Sequence, residues 1–89
     1  VRYHEINYME RLSDYPKLFT DKETIMTRET ISNIESKLPS NEFLRTHRSY
    51  IVSMPKIDSF TNEFLALDKK AIPISRSYKE NVLQKLAGK

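Results

Sequence analysis

Two short segments of the sequence carry basic side chains and no acidic one. Residues 43–56 hold three Lys or Arg, residues 69–79 hold four, and neither segment contains Asp or Glu. A surface that faces phosphate requires such segments, because a nearby carboxylate repels nucleic acid as strongly as a lysine attracts it. A solvated surface with unevenly distributed charge would also give this pattern. The charge therefore favours nucleic-acid binding without deciding it.

Each segment also contains hydroxyl groups and one arginine at an expected bend of the chain, Arg48 or Arg76. Arginine is the side chain best suited to a bidentate bond with the guanine edge in the major groove, a contact worth about 1–3 kcal/mol of discrimination. Sheets that bind RNA display aromatic residues for base stacking, whereas Tyr50 and Tyr78 are explained as core residues. Double-stranded DNA is therefore the favoured partner. The hydroxyl-bearing residues, which suit phosphate contacts, are Ser49, Tyr50, Ser75, Ser77 and Tyr78.

An enzyme is the less favoured alternative. Ser–His catalysis needs an oriented base and an oxyanion hole, usually built in glycine-containing turns, and the sequence has one glycine. No His or acidic cluster has metal-ligand spacing, since His4 and His47 stand alone. We expect no catalysis, cofactor or metal, although a nuclease acting through His47 is a competing hypothesis. For His47 the alternative to a DNA contact is a neutral histidine bonded to backbone beside the core.

Short strands are expected to position these segments. Apolar residues with a period of two predict strands, and a period of 3.6 predicts helices. Ile6 and Tyr8 are expected on one face of the first strand. Thr27 is the expected N-cap of the first helix, which Pro39 ends, and Pro73 favours an edge strand. The predicted strands are 3–12, 17–20, 24–27, 42–46, 50–53, 56–60, 64–68 and 71–75, and the predicted helices are 28–38 and 77–87, the second ending at Gly88.

Composition places these elements in one soluble domain, 1–89. The chain is long enough for a modest core, and the absence of cysteine suits a reducing cytoplasm better than a secreted scaffold. No apolar run approaches the roughly 18 residues of a membrane span. There are 6 basic and 7 acidic residues up to Ser40, and 9 and 5 from Asn41 onward, so the C-terminal half is the basic one.

Four stretches, in this order, resemble the LytTR DNA-binding domain, the output domain of many bacterial two-component response regulators. The central stretch is FLRTHRSYIVSMPKI, and IPISRSYKE follows it at the start of the last predicted helix. EINYMERLSDYPKLFT is similar to the opening strand and loop of the family, and TRETISNIESKLPSNEF to its middle helix. The resemblance covers nearly the whole chain.

The resemblance implies a mainly β fold, an elongated stack of small, mostly antiparallel sheets with one middle helix and one C-terminal helix. It also implies that DNA is read through loops, which here are residues 13–17, the turn at His47, Arg48 and Ser49, and the stretch at Arg76 and Ser77. Arg48 and Arg76 are expected to contact bases. The residues expected to contact phosphate or to support the site are Arg45, His47, Ser49, Ser77, Lys79, Lys17 and Asp14.

The family also implies a receiver domain in cis, phosphorylated on aspartate, and two protomers on paired direct repeats in promoters. The chain departs from the family pattern at Pro16, which stands where a DNA-contacting side chain is expected, so the contribution of the first loop is open. A module for protein interaction or oligomerisation, in which exposed strand edges pair with a partner, is the alternative function.

Overall fold

The computed structural model describes residues 5–11, 15–39, 41–67 and 69–87, which form short strands and two α-helices. No helix in these ranges is long and apolar enough to cross a membrane. The predicted ends of the first strand and the predicted helix end at Gly88 lie outside the described residues. In chain order the elements are β1 (Ile6–Arg11), β2 (Pro16–Thr20), β3 (Thr24–Met26), α1 (Ile31–Lys37), β4 (Phe43–His47), β5 (Tyr50–Ser53), a 3₁₀ helix (Met54–Lys56), β6 (Ser59–Phe60), β7 (Phe64–Leu67), β8 (Lys70–Pro73) and α2 (Arg76–Ala87).

The strands form two antiparallel sheets. The five-stranded sheet has the order β3-β2-β1-β5-β4, and the three-stranded sheet has the order β6-β7-β8. The prediction of a mainly β fold with small antiparallel sheets and two helices is therefore confirmed. Pro73 lies in β8 at an edge of the smaller sheet, as expected for a residue that cannot donate a ladder hydrogen bond.

The five-stranded sheet lies between two apolar cores because side chains alternate along each strand. On one face, α1 packs against the sheet through Ile31 and Leu38, which join Ile6, Met9 and Ile51. On the other face, α2 and the three-stranded sheet cover a larger core. Its buried members are Tyr8, Leu44, Val52, Met54, Leu65, Leu67, Ile72, Ile74, Val82 and Leu86.

The prediction that Ile6 and Tyr8 share a face of β1 is wrong. The register with β2 shifts between these two residues, a β-bulge that moves the side chains after it to the opposite faces. Ile6 and Met9 consequently pack in the core under α1, while Tyr8 belongs to the larger core and stacks on Phe19 with ring centroids 4.5 Å apart.

The predicted N-cap of the first helix is also wrong. Thr30 caps α1 by accepting a hydrogen bond from the backbone N–H of Asn33. Thr27 stays outside the helix, because its hydroxyl donates to the carbonyl of Pro16 at 2.9 Å and fixes the chain after β3 against the start of β2. The helix is therefore shorter than predicted, and Leu38 forms its C-cap immediately before Pro39.

The predicted strand at 56–60 is mostly not a strand. Met54–Lys56 forms a 3₁₀ turn, with Pro55 near its start, where a missing N–H is tolerated. Only Ser59 and Phe60 pair with β7. The other predicted strands after the first, and the second helix, are present with boundaries that differ by at most two residues.

Candidate nucleic-acid interface

Three segments of the chain converge around the turn between β4 and β5. The N–H of Arg11, the last residue of β1, donates to the carbonyl of Ser49 at 2.8 Å. The N–H of Ser75, just before α2, donates to the carbonyl of Thr46 at 2.9 Å. The turn is thus fixed between the end of β1 and the start of α2. We term this region the loop face and define it as Arg11, His47, Arg48, Ser49, Arg76, Ser77 and Lys79, together with Lys17 of β2, which stands opposite Glu10 in the sheet ladder, next to Arg11.

A bulge in β4 makes the connection to α2. The register with β5 shifts between Arg45 and His47, which leaves Thr46 without a partner residue in that ladder. The carbonyl of Thr46 instead accepts from Ser75, so the irregular residue attaches the start of α2 to the sheet. Bulges are frequent near functional sites because they redirect the chain locally.

Arg45 braces the turn from inside. Its side chain is only 8% exposed, and its Nε and Nη2 donate to the carbonyls of His47 and Arg48 at 2.8 and 2.6 Å. Its Nη1 donates to Glu35 Oε1 of α1 at 2.6 Å, and its Cζ lies 5.6 Å from the centre of the Tyr78 ring in α2. One guanidinium therefore connects α1, the turn and α2.

His47 braces the turn through its own ring. Its Nδ1 accepts a hydrogen bond from the backbone N–H of Ser49 at 3.1 Å, and the ring meets Tyr50 edge-on with centroids 5.6 Å apart. A nitrogen that accepts cannot carry hydrogen, so this bond assigns the neutral tautomer with hydrogen on Nε2. His47 is thus bonded to the backbone, as the alternative to a DNA contact requires. Its Nε2–H is a second group, which can donate to a ligand.

The cations of the loop face form no ion pair with a carboxylate of the described residues. Arg48 and Arg76 are exposed, and no carboxylate in the described ranges lies within 4.0 Å of either. The same holds for Arg11, Lys17 and Lys79. Lys22 and Lys69 also have no described carboxylate within 4.0 Å, but here cations from the end of β1, the turn and the start of α2 lie around one turn. Such a surface attracts anions.

Glu10 lies beside this face and is bound by two other side chains. Glu10 stands opposite both Lys17 and Tyr50 in the sheet ladder. Its Oε2 accepts from the Tyr50 hydroxyl at 2.6 Å and its Oε1 from Lys70 Nζ at 3.2 Å, which ties the two sheets together. The hydrogen bond to Glu10, together with burial, raises the pKa of Tyr50 to about 12.

The residues predicted for the site differ in burial. Arg48, Arg76 and Ser77 are exposed; His47, Ser49, Lys17 and Lys79 are half-buried; and Arg45 is buried. Asp14 lies outside the described residues, so its contact stays a prediction. Pro16 is buried at the start of β2, whereas Tyr15 beside it is 45% exposed.

The sequence did not single out Arg11 or Tyr15, although both lie at the first loop. Arg11 is exposed, and its backbone bond to Ser49 places it directly beside the turn. Arg11 could have been predicted from the sequence, because it is a basic residue at the end of the first strand. The loop that the family resemblance assigns to DNA follows directly. The family resemblance implies a DNA-contacting side chain at the position of Pro16. The exposed side chain beside Pro16 is the aromatic ring of Tyr15.

Replacing Thr46 with valine is expected to stabilise the protein. The Thr46 side chain is fully buried, and its hydroxyl has no hydrogen-bond partner in the described part of the chain. Removing an unpaired buried hydroxyl avoids its desolvation penalty, so the free energy of unfolding should rise by about 1 kcal/mol. Urea unfolding measures this, with Thr46→Ser as the control that keeps the hydroxyl and should be destabilised. A less stable Thr46→Val would show that the hydroxyl has a partner.

Comparison with known proteins gives consistent relatives. Residues 1–87 match the family model of the LytTr DNA-binding domain. The chain is 32% identical over 75 residues to the sensory transduction protein LytT of Enterococcus faecalis, covering 78% of this chain and 31% of that protein. It is 33% identical over 76 residues to the transcriptional regulatory protein NatR of Bacillus subtilis, covering 76% and 33%. The chain thus spans about a third of the length of these relatives.

A solved structure is similar over the whole chain. The LytTr DNA-binding domain of a response regulator from Bacillus cereus superposes with a TM-score of 0.85 at 26% sequence identity. The superposition covers 100% of this chain and 86% of the other. The fold and the sequence match therefore indicate the same family.

Proposed function

The chain belongs to the LytTr DNA-binding domain family, and we propose that it binds promoter DNA sequence-specifically as the output domain of a bacterial response regulator. The observation that supports this proposal is the convergence of the end of β1, the turn and the start of α2 on one face. Loops held side by side on a rigid sheet can meet a duplex together. Their cations are available because no described carboxylate lies within 4.0 Å of them.

The burial of each residue on and beside the loop face suggests whether it contacts bases, contacts phosphate or supports the turn. Arg48 and Arg76 are exposed and free to extend, so we assign them to base edges in the major groove. Arg45 supports the turn from within the fold, and His47 supports it while offering Nε2–H to phosphate. The other residues assigned to phosphate are Ser49, Ser77, Lys79, Lys17 and Arg11.

The proposal extends to the rest of a regulator. Relatives that carry this family domain are named as a sensory transduction protein and a transcriptional regulatory protein, and each is about three times as long as the matched part. A receiver domain in cis accounts for part of that extra length. Two protomers on paired direct repeats, in a cytoplasmic two-component system, complete the proposed arrangement.

Replacing Lys79 with alanine tests which face meets DNA. Lys79 follows Arg76 by three residues on α2, and we assign it to phosphate, so its loss should weaken binding to a selected site and to random duplex about equally. The slope of log affinity against log salt should fall by about one unit. Fluorescence anisotropy over a salt series measures both quantities, after a binding site has been selected from random duplexes.

Lys22→Ala is the matched control. Lys22 is exposed in the turn between β2 and β3, at the opposite end of β2 from Lys17, and its loss changes the net charge by the same amount. Its salt slope should equal that of the unaltered protein. If Lys79→Ala and Lys22→Ala had equal salt slopes, the assignment of the loop face as the DNA-binding surface would be wrong.

Two exposed aromatic residues favour a second candidate, a protein-interaction module. Phe60 and Phe64 are 45% and 47% exposed at the two ends of the turn between β6 and β7. Exposed aromatics are typical of protein interfaces. Undetectable binding to random duplex at low salt would favour this module over DNA binding, because non-specific affinity comes from phosphate contacts.

A further inference from the structure

Arg45 holds both peptide groups that flank Arg48. The carbonyl of His47 belongs to the peptide before Arg48, and the carbonyl of Arg48 to the peptide after it. Nε and Nη2 of Arg45 donate to these two carbonyls at 2.8 and 2.6 Å. Since the two peptide planes define the backbone angles of Arg48, the guanidinium fixes the direction in which the Arg48 side chain leaves the turn.

Glu35 sets the orientation of that guanidinium. The Arg45 side chain is 8% exposed and needs a counter-charge, and Glu35 Oε1 lies 2.6 Å from its Nη1. The Glu35 side chain is 45% exposed on α1, ten positions before Arg45 in sequence. Glu35 therefore holds one nitrogen of the buried guanidinium from α1, which leaves Nε and Nη2 directed at the turn.

We propose that Glu35 is a positioning residue for DNA specificity, acting through Arg45 on Arg48 without touching DNA. This inference rests on the proposed function, because it concerns how the same face reads bases. The sequence alone would not suggest it, since no local pattern links Glu35 to Arg45, ten residues away. It identifies α1, which carries none of the loop-face residues, as part of the DNA-reading apparatus.

Simple electrostatics and positioning predict opposite results for Glu35→Gln. Removing a carboxylate from a DNA-binding protein strengthens attraction to any duplex. If Glu35 positions Arg48, binding to random duplex should stay equal or rise while binding to the selected site falls. The ratio of the two affinities should drop by about threefold to tenfold, part of the discrimination that one bidentate base contact supplies.

Glu29→Gln is the matched control. Glu29 lies just before α1, its side chain is 46% exposed, and its Oε2 is 2.7 Å from Lys37 Nζ. The variant loses the same charge from a surface ion pair that does not reach the turn, so its affinity ratio should not change. Glu35→Asp retains the charge on a shorter side chain and should recover part of the ratio. Circular dichroism and thermal unfolding establish that each variant is folded.

A double-mutant cycle with Arg48→Ala tests the route of the effect. If Glu35 acts through Arg48, adding Glu35→Gln to Arg48→Ala should not lower the affinity ratio further. An unchanged ratio in Glu35→Gln, or full additivity with Arg48→Ala, would overturn the inference while leaving DNA binding intact. Failure of the unaltered protein to bind any duplex would instead overturn the proposed function and the inference with it.

Discussion

Replacing Arg76 with alanine is expected to weaken binding to a selected duplex by about 5-fold to 150-fold, the equivalent of a lost bidentate base contact. Arg76 is the first residue of α2, is exposed, and has no carboxylate within 4.0 Å in the described chain. Binding to random duplex should fall much less, since only one charge is lost near phosphate. Titration of both duplexes at one salt concentration measures the difference.

Arg76→Lys separates charge from geometry. Lysine retains the positive charge but lacks the planar fork that matches the guanine edge, so this variant should keep random binding and lose much of the specificity. Lys79→Ala, three residues further along α2, provides the comparison for a phosphate contact. Equal losses on both duplexes for Arg76→Ala would reassign Arg76 from base reading to phosphate.

The role of an arginine in this fold depends on burial more than on its place in the sequence. Arg45 and Arg48 stand three residues apart in the same motif, yet one is buried with three donor nitrogens in use and the other is exposed. The bulge at Thr46 lies between them and changes the alternation of the strand. The buried arginine therefore shapes the turn, and the exposed one is available for a ligand.

Local patterns in the sequence predicted most of the strands and both helices, because apolar periodicity and proline act over a few residues. The β-bulge between Ile6 and Tyr8 was not predictable, since it arises from pairing with β2 and not from the residues of β1 alone. Likewise, Thr27 and Thr30 are equally good N-caps by residue type. The bond from Thr27 to Pro16, eleven residues away, decides between them.

The segments of the candidate site were predicted from charge and family resemblance, but the bonds that support them were not. Glu35 and Arg45 are ten residues apart, and Glu10 and Lys70 are sixty apart. Such pairs depend on how the sheets and helices pack, which no local pattern encodes. Nothing in the sequence therefore linked Glu10 or Glu35 to the loop face, although both support it through hydrogen bonds.

The hydrogen bond between Tyr50 and Glu10 is expected to make the protein less stable at alkaline pH. Tyr50 donates to Glu10, and the pKa of Tyr50 is raised to about 12 in the folded protein, compared with about 10 for an unperturbed tyrosine. A raised pKa means that folding favours the protonated phenol. Its contribution is complete below pH 10, where both states are protonated, and is lost as pH rises from about 10 to about 12.

Replacing Tyr50 with phenylalanine should remove that contribution. At pH 7 the variant should lose about 1.5 kcal/mol of unfolding free energy, the lower range for a hydrogen bond to a charged group, because Tyr50 is only half-buried. The difference between the two proteins should narrow between pH 10 and pH 12, where the unaltered protein alone loses the bond. Urea unfolding at pH 7, 9 and 11 measures it.

Tyr15→Phe is the control for this prediction, because Tyr15 is 45% exposed and no described side chain binds its hydroxyl. That variant should follow the unaltered protein at every pH. All other side chains are common to the three proteins, so their effects largely cancel in the comparison. The prediction would be contradicted if the unfolding free energies of the unaltered protein and Tyr50→Phe changed in parallel from pH 7 to pH 11. The bond between Tyr50 and Glu10 would then contribute no measurable stability.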